Sequence, residues 1–134
     1  MRKIIFVCVH NSGRSQIAEA FAKRLGEGKI EVVSAGTQPA EALNPTVVEA
    51  MNEIGYDMSG HYPKVLTAEM VSGAERIITM GCGVDAGVCP AEFLVTEDWG
   101  LDDPKGQPIE KVRDIRDQIK VRIRNLIEEM IRES

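Results

Sequence analysis

Apolar and polar positions along the chain fall into two rhythms, and together they predict strands alternating with helices. Lys3 to Val7 is an almost continuous apolar run, the pattern of a strand buried on both faces, and it ends at Cys8 in a turn of small and polar residues. Arg14 to Leu25 then places Ile17, Ala18, Phe21 and Leu25 at helical spacing, with Gly26 and Gly28 as stop signals. Ile30 to Ala35 reads as a second strand closed by Gly36. Asn44-Pro45 opens a second helix through Val47, Val48 and Met51 that ends at Gly55. Ala68 to Ser72 is expected to be a short helix, Glu75 to Met80 a third strand, and Ala91 to Val95 a fourth. Glu97 to Gln107 reads as a polar loop. The chain then finishes in a long helix whose Val112, Ile115, Ile119, Ile123, Leu126 and Met130 recur every three or four residues.

Such an order implies an α/β fold, with right-handed crossovers and an open parallel sheet covered by helices on both faces. Its 134 residues suit one domain spanning 1–134, large enough to bury a core without a disulfide or metal staple. Sixteen Lys and Arg against 21 Asp and Glu give a net charge of -5, which argues against nucleic acid as a partner. An oxyanion must instead be held by a local site. No apolar run approaches the ~20 residues of a membrane span, so no membrane partner is expected. The start at Met1-Arg2-Lys3 is basic and then apolar, but the run is too short for a signal peptide, which leads to the expectation of a cytoplasmic protein. Three cysteines cannot all pair within one chain, so their use is expected to be catalytic or redox.

The turn between the first strand and first helix reads Cys8-Val9-His10-Asn11-Ser12-Gly13-Arg14-Ser15, a Cys-x5-Arg spacing followed by Ser. In an open parallel sheet, ligands bind beyond the carboxyl ends of the strands, which is where this turn lies. Its backbone N–H groups from Val9 to Ser15 can converge on an oxyanion. The helix N-terminus adds partial positive charge, and the Arg14 guanidinium is a planar fork matched to tetrahedral oxyanions. The same field favours the Cys8 thiolate and makes it a nucleophile, with the Ser15 hydroxyl in reach of the sulfur. His10 is expected to fix the loop rather than to act in acid–base chemistry.

Cys82 follows the third strand as Cys8 follows the first. If those strands are neighbours, about 4.8 Å apart, the two sulfurs approach with modest loop movement. Cys89 lies seven residues further on. On a continuous helix the two would sit about 10 Å apart, beyond the ~7 Å limit for a disulfide, so pairing requires the Gly-rich segment with Gly81, Gly83 and Gly87 to loop. That pattern fits a mobile dithiol delivered to a reactive cysteine. A zinc site built on the cysteines is disfavoured by the wide gap between Cys82 and Cys89, and no metal is expected. Asp102-Asp103-Pro104, again at the carboxyl edge, offers an acid to protonate a leaving oxygen, although Asp98 and Asp102 also read as ordinary loop charges.

Taken together, Cys8 to Ser15, Ser34-Ala35-Gly36, Cys82 and Cys89 with Pro90, and Trp99-Gly100-Leu101-Asp102-Asp103-Pro104 closely resemble the thioredoxin-coupled arsenate reductases, which share the fold of low-molecular-weight protein tyrosine phosphatases. The resemblance covers nearly the whole chain. It implies a four-stranded sheet in the order 2-1-3-4 and arsenate as substrate, with phosphate and sulfate as competing oxyanions. It further implies that Cys8 attacks arsenate held by the loop amides and Arg14, and that Asp103 protonates the departing oxygen. Cys82 then attacks the Cys8 adduct and Cys89 attacks Cys82, leaving a Cys82–Cys89 disulfide for thioredoxin, an external dithiol, to reduce; no bound cofactor is implied. Two positions depart from the family pattern. Gly13 stands where familiar members have another Cys. Some members hold a potassium ion through side chains matched here by Asn11, Glu19 and Ser34, but Lys64 stands near the remaining carboxylate position, so its ammonium is expected to supply that charge. The alternative is a phosphatase of the same fold working through a Cys8 phosphoenzyme, a chemistry with no use for Cys82 and Cys89.

Overall fold

The computed structural model describes residues 2–81 and 97–133. Four strands form one parallel sheet: β1 (Arg2–Cys8), β2 (Ile30–Gly36), β3 (Arg76–Thr79) and β4 (Glu97–Asp98), in the order β2-β1-β3-β4. The helices are α1 (Arg14–Leu25), α2 (Pro45–Asn52), the single turn α3 (Ala68–Val71) and α4 (Ile109–Glu133). No helix among the described residues is long and apolar enough to cross a membrane.

The apolar run of β1 places it at the centre. Ile4, Ile5, Phe6 and Val7 are all fully buried, and the strand's period of two sends them to opposite sides. Ile4, Phe6 and Cys8 join the larger core, with Ile17 and Phe21 of α1 and the Val112, Ile115, Ile119 and Ile123 stripe of α4. Ile5, Val7 and Ile77 pack on the other face under Leu66, Met70 and Val71. Each large apolar side chain so buried contributes roughly 1.5–3 kcal/mol, which favours β1 at the centre of the sheet, covered on both faces. Buried Arg116 of α4 ties α2 to this core by donating to the Ala50 carbonyl at 2.8 Å and to Glu53 at 3.2 Å. The start of α2 is set by Asn44, whose side chain accepts from the Thr46 N–H beside Pro45.

Strand register aligns the carboxyl ends. Cys8 lies opposite Gly36, Val7 opposite Thr79, and Thr79 opposite Asp98. The expectation that the first and third strands are neighbours therefore holds, as does the order 2-1-3-4. β3 is shorter than the expected Glu75 to Met80, yet the Glu75 and Met80 N–H groups still donate to Lys3 and Val7 carbonyls of β1. The expected strand at Ala91 to Val95 lies outside the described residues, as do Cys82 and Cys89. One correction concerns Glu97 and Asp98, read from sequence as the start of a loop and found in β4. Two charged residues can form an edge strand here because their side chains are fully engaged. Asp98 accepts from the Thr79 hydroxyl at 2.7 Å and the Gly81 N–H at 2.8 Å, and Glu97 accepts from the Trp99 indole at 2.8 Å.

Candidate active site

The loop from Cys8 to Ser15 joins the end of β1 to the first turn of α1, at the carboxyl edge of the sheet. Its carbonyls point outward: Val9, His10 and Ser12 accept from the N–H groups of Gln38, Ala40 and Asn44 at 2.8, 3.0 and 2.9 Å. A trans peptide holds its C=O and N–H in opposite directions, and no cis bond occurs here. Anchoring those three carbonyls therefore turns the N–H groups of His10, Asn11 and Gly13 inward, where the unpaired N–H groups of the α1 N-terminus join them. The fold builds an anion cradle by fixing its outer rim. Gly36 makes the rim possible, because a Cβ there would sit 2.5 Å from the Val9 carbonyl oxygen.

Cys8 lies in the floor of this cradle with 5% exposure. Its Sγ is 2.8 Å from the Ser15 hydroxyl and receives the Asn11 backbone N–H at 3.2 Å. Asn11 itself has φ of 50°, in the left-handed region that asparagine tolerates better than most residues. Every polar part of its side chain is used. The amide nitrogen donates to Ser15 Oγ at 2.7 Å and Ser34 Oγ at 3.1 Å, while the carbonyl oxygen accepts from Gln16 Nε2 and the Lys64 N–H.

Arg14 begins α1 and reaches across the cradle. Its Nη1 donates to the Met80 and Leu101 carbonyls, each at 2.7 Å, which fixes one half of the fork and leaves the other toward the cleft. Its Nη2 stands 3.9 Å from Asp103 Oδ2. Three acids in and just beyond β4 have separate roles. Asp98 holds β4 to β3, and Asp102 pairs with Lys111 at 2.8 Å, a contact that keeps its carboxyl below the usual range and turns it from the cleft. Asp103 remains: its Oδ1 accepts the Lys105 N–H at 3.0 Å, and it lines the cleft mouth with 54% of its side chain exposed. His10 Nδ1 contacts the Gln38 carbonyl at 3.0 Å, so it braces the rim as expected. The resulting cavity, about 640 Å³, is bounded by Cys8, Arg14, Asp103, Leu43, Pro45 and Pro104 among others.

Behind the cradle lies a second polar layer. Ser34 Oγ donates to Glu19 Oε1 at 3.0 Å, and Lys23, His61 and Lys64 stand 3.4, 3.5 and 3.7 Å from the same carboxylate. Burial pushes the Glu19 carboxyl up, but these contacts together bring it below its ordinary value. The Lys64 ammonium thus brings positive charge to the Glu19 carboxylate, while the Lys64 backbone N–H occupies Asn11 Oδ1. Sequence reading missed two members of this layer. Fully buried Gln16 donates to the Asn11 and Tyr62 carbonyls, and His61 Nδ1 lies 3.1 Å from Gln16 Oε1. The available signal was Ser15, Gln16 and Glu19 on the apolar face of α1, polar residues that a buried helix face must satisfy.

Fold and cradle together define a class of thiol enzymes acting on tetrahedral oxyanions. The sequence profile of the low molecular weight phosphotyrosine protein phosphatase family matches residues 3–134, and the chain belongs to that family. Among its relatives, a glutaredoxin arsenate reductase of Synechocystis is 42% identical over 131 residues, covering 95% of this chain and 97% of the relative. The solved structure of an arsenate reductase in the phosphate binding state superposes with a TM-score of 0.84 at 41% identity, covering 96% of this chain and 98% of that one. A thioredoxin-dependent arsenate reductase of Corynebacterium glutamicum gives a TM-score of 0.81 at 35% identity, covering all of this chain (100%) and 64% of that one.

Proposed function

We propose that this chain reduces arsenate to arsenite, with Cys8 as nucleophile and Cys82 and Cys89 as the redox relay. Arsenate enters the cradle, where the inward N–H groups and the free half of the Arg14 fork bind its oxygens. The Cys8 thiolate attacks arsenic, and Asp103 gives its proton to the departing oxygen, which leaves as water. The Cys82 thiolate then attacks Cys8 Sγ. The S–As bond breaks with its electron pair on arsenic, so arsenic(V) becomes arsenic(III) and a Cys8–Cys82 disulfide forms. Attack by Cys89 on Cys82 releases the Cys8 thiolate and leaves a Cys82–Cys89 disulfide, which an external dithiol protein returns to two thiols. Thioredoxin is the proposed reductant, in the cytoplasm, where such thiols stay reduced. Phosphate and sulfate, of the same shape, compete for the cradle.

The observation that carries this reading is the placement of Cys8 Sγ under Ser15 and the Asn11 N–H, with Arg14 and Asp103 converging from two other elements. Relatives whose names specify arsenate reduction support the choice of substrate. The cavity of about 640 Å³ exceeds what arsenate needs, which favours a second reading, hydrolysis of a phosphomonoester through a Cys8 phosphoenzyme. One experiment separates them. Arsenate-dependent NADPH oxidation through thioredoxin and its reductase is compared with hydrolysis of an aryl phosphate, with a glutathione and glutaredoxin arm beside the thioredoxin arm. Arsenate turnover with thioredoxin is the expected result; ester hydrolysis without arsenate turnover refutes the reductase.

A further inference from the structure

The cradle and the acid loop meet at one tight contact. A Cβ built on Gly13 would lie 2.8 Å from Pro104 Cγ, 3.6 Å from Pro104 Cδ and 3.8 Å from Val47 Cγ2. Pro104 is buried and shares a peptide bond with Asp103, and Val47, the other neighbour of that Cβ, is fully buried in α2. The proline ring has no free rotor to swing aside, because its side chain is closed onto its own backbone. Ordinary contact begins near 3.4 Å, so any side chain at residue 13 must drive the ring back by roughly 0.6 Å. The backbone of Asp103 moves with it. Asp103 stands 3.9 Å from Arg14 Nη2, so its carboxylate is placed over the cradle from the same backbone that carries Pro104.

We infer that Gly13 is a positioning residue for the proton donor: the missing side chain lets Pro104 seat against the anion loop and holds Asp103 over the departing oxygen. The inference rests on the assignment of Asp103 above. A shift of this size at a group that must meet its proton acceptor within hydrogen-bond reach lowers turnover on the order of tenfold.

The test uses Gly13→Ala, Pro104→Ala and the double variant, each with Asp103 intact and as Asp103→Asn. Gly13→Ala is expected to lower kcat for arsenate about tenfold, with KM and the phosphate concentration that protects Cys8 from iodoacetamide changed less than twofold. Pro104→Ala in the same chain removes the ring atoms and should bring kcat to within threefold of Pro104→Ala alone. On the Asp103→Asn background Gly13→Ala should change kcat less than twofold. An unchanged kcat, a loss confined to KM, or an equal loss with and without Asp103 overturns the inference. A wild type without arsenate turnover fails the reductase reading instead, and the same variants, with wild type and Asp103→Asn as their references, are then scored on phenyl phosphate, whose poor leaving group also needs the acid. A wild type inert toward both substrates overturns both. Urea midpoints separate folding from catalysis, because Gly13→Ala should lower the midpoint and Pro104→Ala recover part of it; strictly additive midpoints show that the contact does not exist.

Discussion

Lys64→Met should destabilise the protein and raise the pH at which it begins to lose stability in acid. Methionine keeps most of the length and apolar stem of lysine while removing its charge. The Glu19 side chain is only 4% exposed, and Lys64, 20% exposed, puts its Nζ 3.7 Å from Glu19 Oε1. At an effective dielectric near 20, unit charges about 4 Å apart attract by about 4 kcal/mol. Part of that gain offsets the desolvation and side-chain ordering the pair requires, and Lys23 and His61 continue to face the carboxylate, so the expected loss at pH 7 is about 1–3 kcal/mol. The Lys64 backbone N–H still serves Asn11, which confines the perturbation to the ammonium.

The pH dependence has a definite sign. Glu19 is held below its ordinary value of 4.5 in the folded state, against the upward push of burial, by His61, Lys64, Lys23 and Ser34. A carboxyl so lowered adds stability that is present above its unfolded value and lost as pH falls through the folded one. Without Lys64, burial is less opposed and the folded value rises, so the decline begins at higher pH. Urea unfolding from pH 3 to 8 measures both effects, and Glu19→Gln combined with Lys64→Met should recover most of the loss because no buried charge remains unpaired. A change under about 0.3 kcal/mol with superimposable acid limbs would refute the role given to the Lys64 ammonium.

The same placement of Lys64 leads to wild-type turnover that is indifferent to sodium or potassium salts at fixed ionic strength; clear activation by potassium would contradict it. Arg14→Lys should raise the arsenate KM at least tenfold, because one ammonium cannot hold both the Met80 and Leu101 carbonyls and still offer a planar pair of donors, and steady-state kinetics reads this directly. Cys8→Ser should abolish arsenate reduction and any aryl phosphatase activity together. Cys82→Ser should stop arsenate turnover and spare ester hydrolysis, while Cys89→Ser should release about one arsenite per chain and stall as a Cys8–Cys82 disulfide seen by non-reducing peptide mapping. Asp98→Ala leaves the Thr79 hydroxyl and the Gly81 N–H without their acceptor and should cost about 1–3 kcal/mol in urea unfolding.

Legibility in the sequence follows the range of the interactions. α1 runs from Arg14 to Leu25 as its apolar spacing and closing glycines predict, because both signals are local. The cradle was legible for the same reason: one unbroken stretch, Cys8 to Ser15, carries the nucleophile, the amides and the arginine. β4 was not, since Glu97 and Asp98 are strand residues only by virtue of Thr79, Gly81 and Trp99 as partners. Nor, apart from the family resemblance that singles out Asp103, does any local pattern choose among Asp98, Asp102 and Asp103. That choice depends on Lys111, eight residues beyond Asp103, drawing Asp102 away, and on Arg14 standing beside Asp103. Gln16 and His61 escaped notice because their contact spans 45 residues and acts on Asn11 rather than on the cleft.

The site thereby divides into parts with different tolerances. Binding the oxyanion and activating the thiol depend on atoms within the loop and its backing layer, where Asn11, Gln16 and Ser15 form a chain of hydrogen bonds ending at Cys8 Sγ. In the proposed mechanism, proton donation depends on a loop that approaches from beyond β4 and meets the cradle at Arg14 and Gly13, through Leu101, Asp103 and Pro104. Errors in the first part remove the nucleophile's environment and abolish every reaction of the family; errors in the second leave binding intact and slow those steps whose leaving oxygen needs a proton. Reduction, as distinct from hydrolysis, adds a third requirement, two further thiols that the cradle does not need for anything else. A phosphatase and a reductase therefore share the first two parts, and the chemistry of Cys82 and Cys89 decides between them.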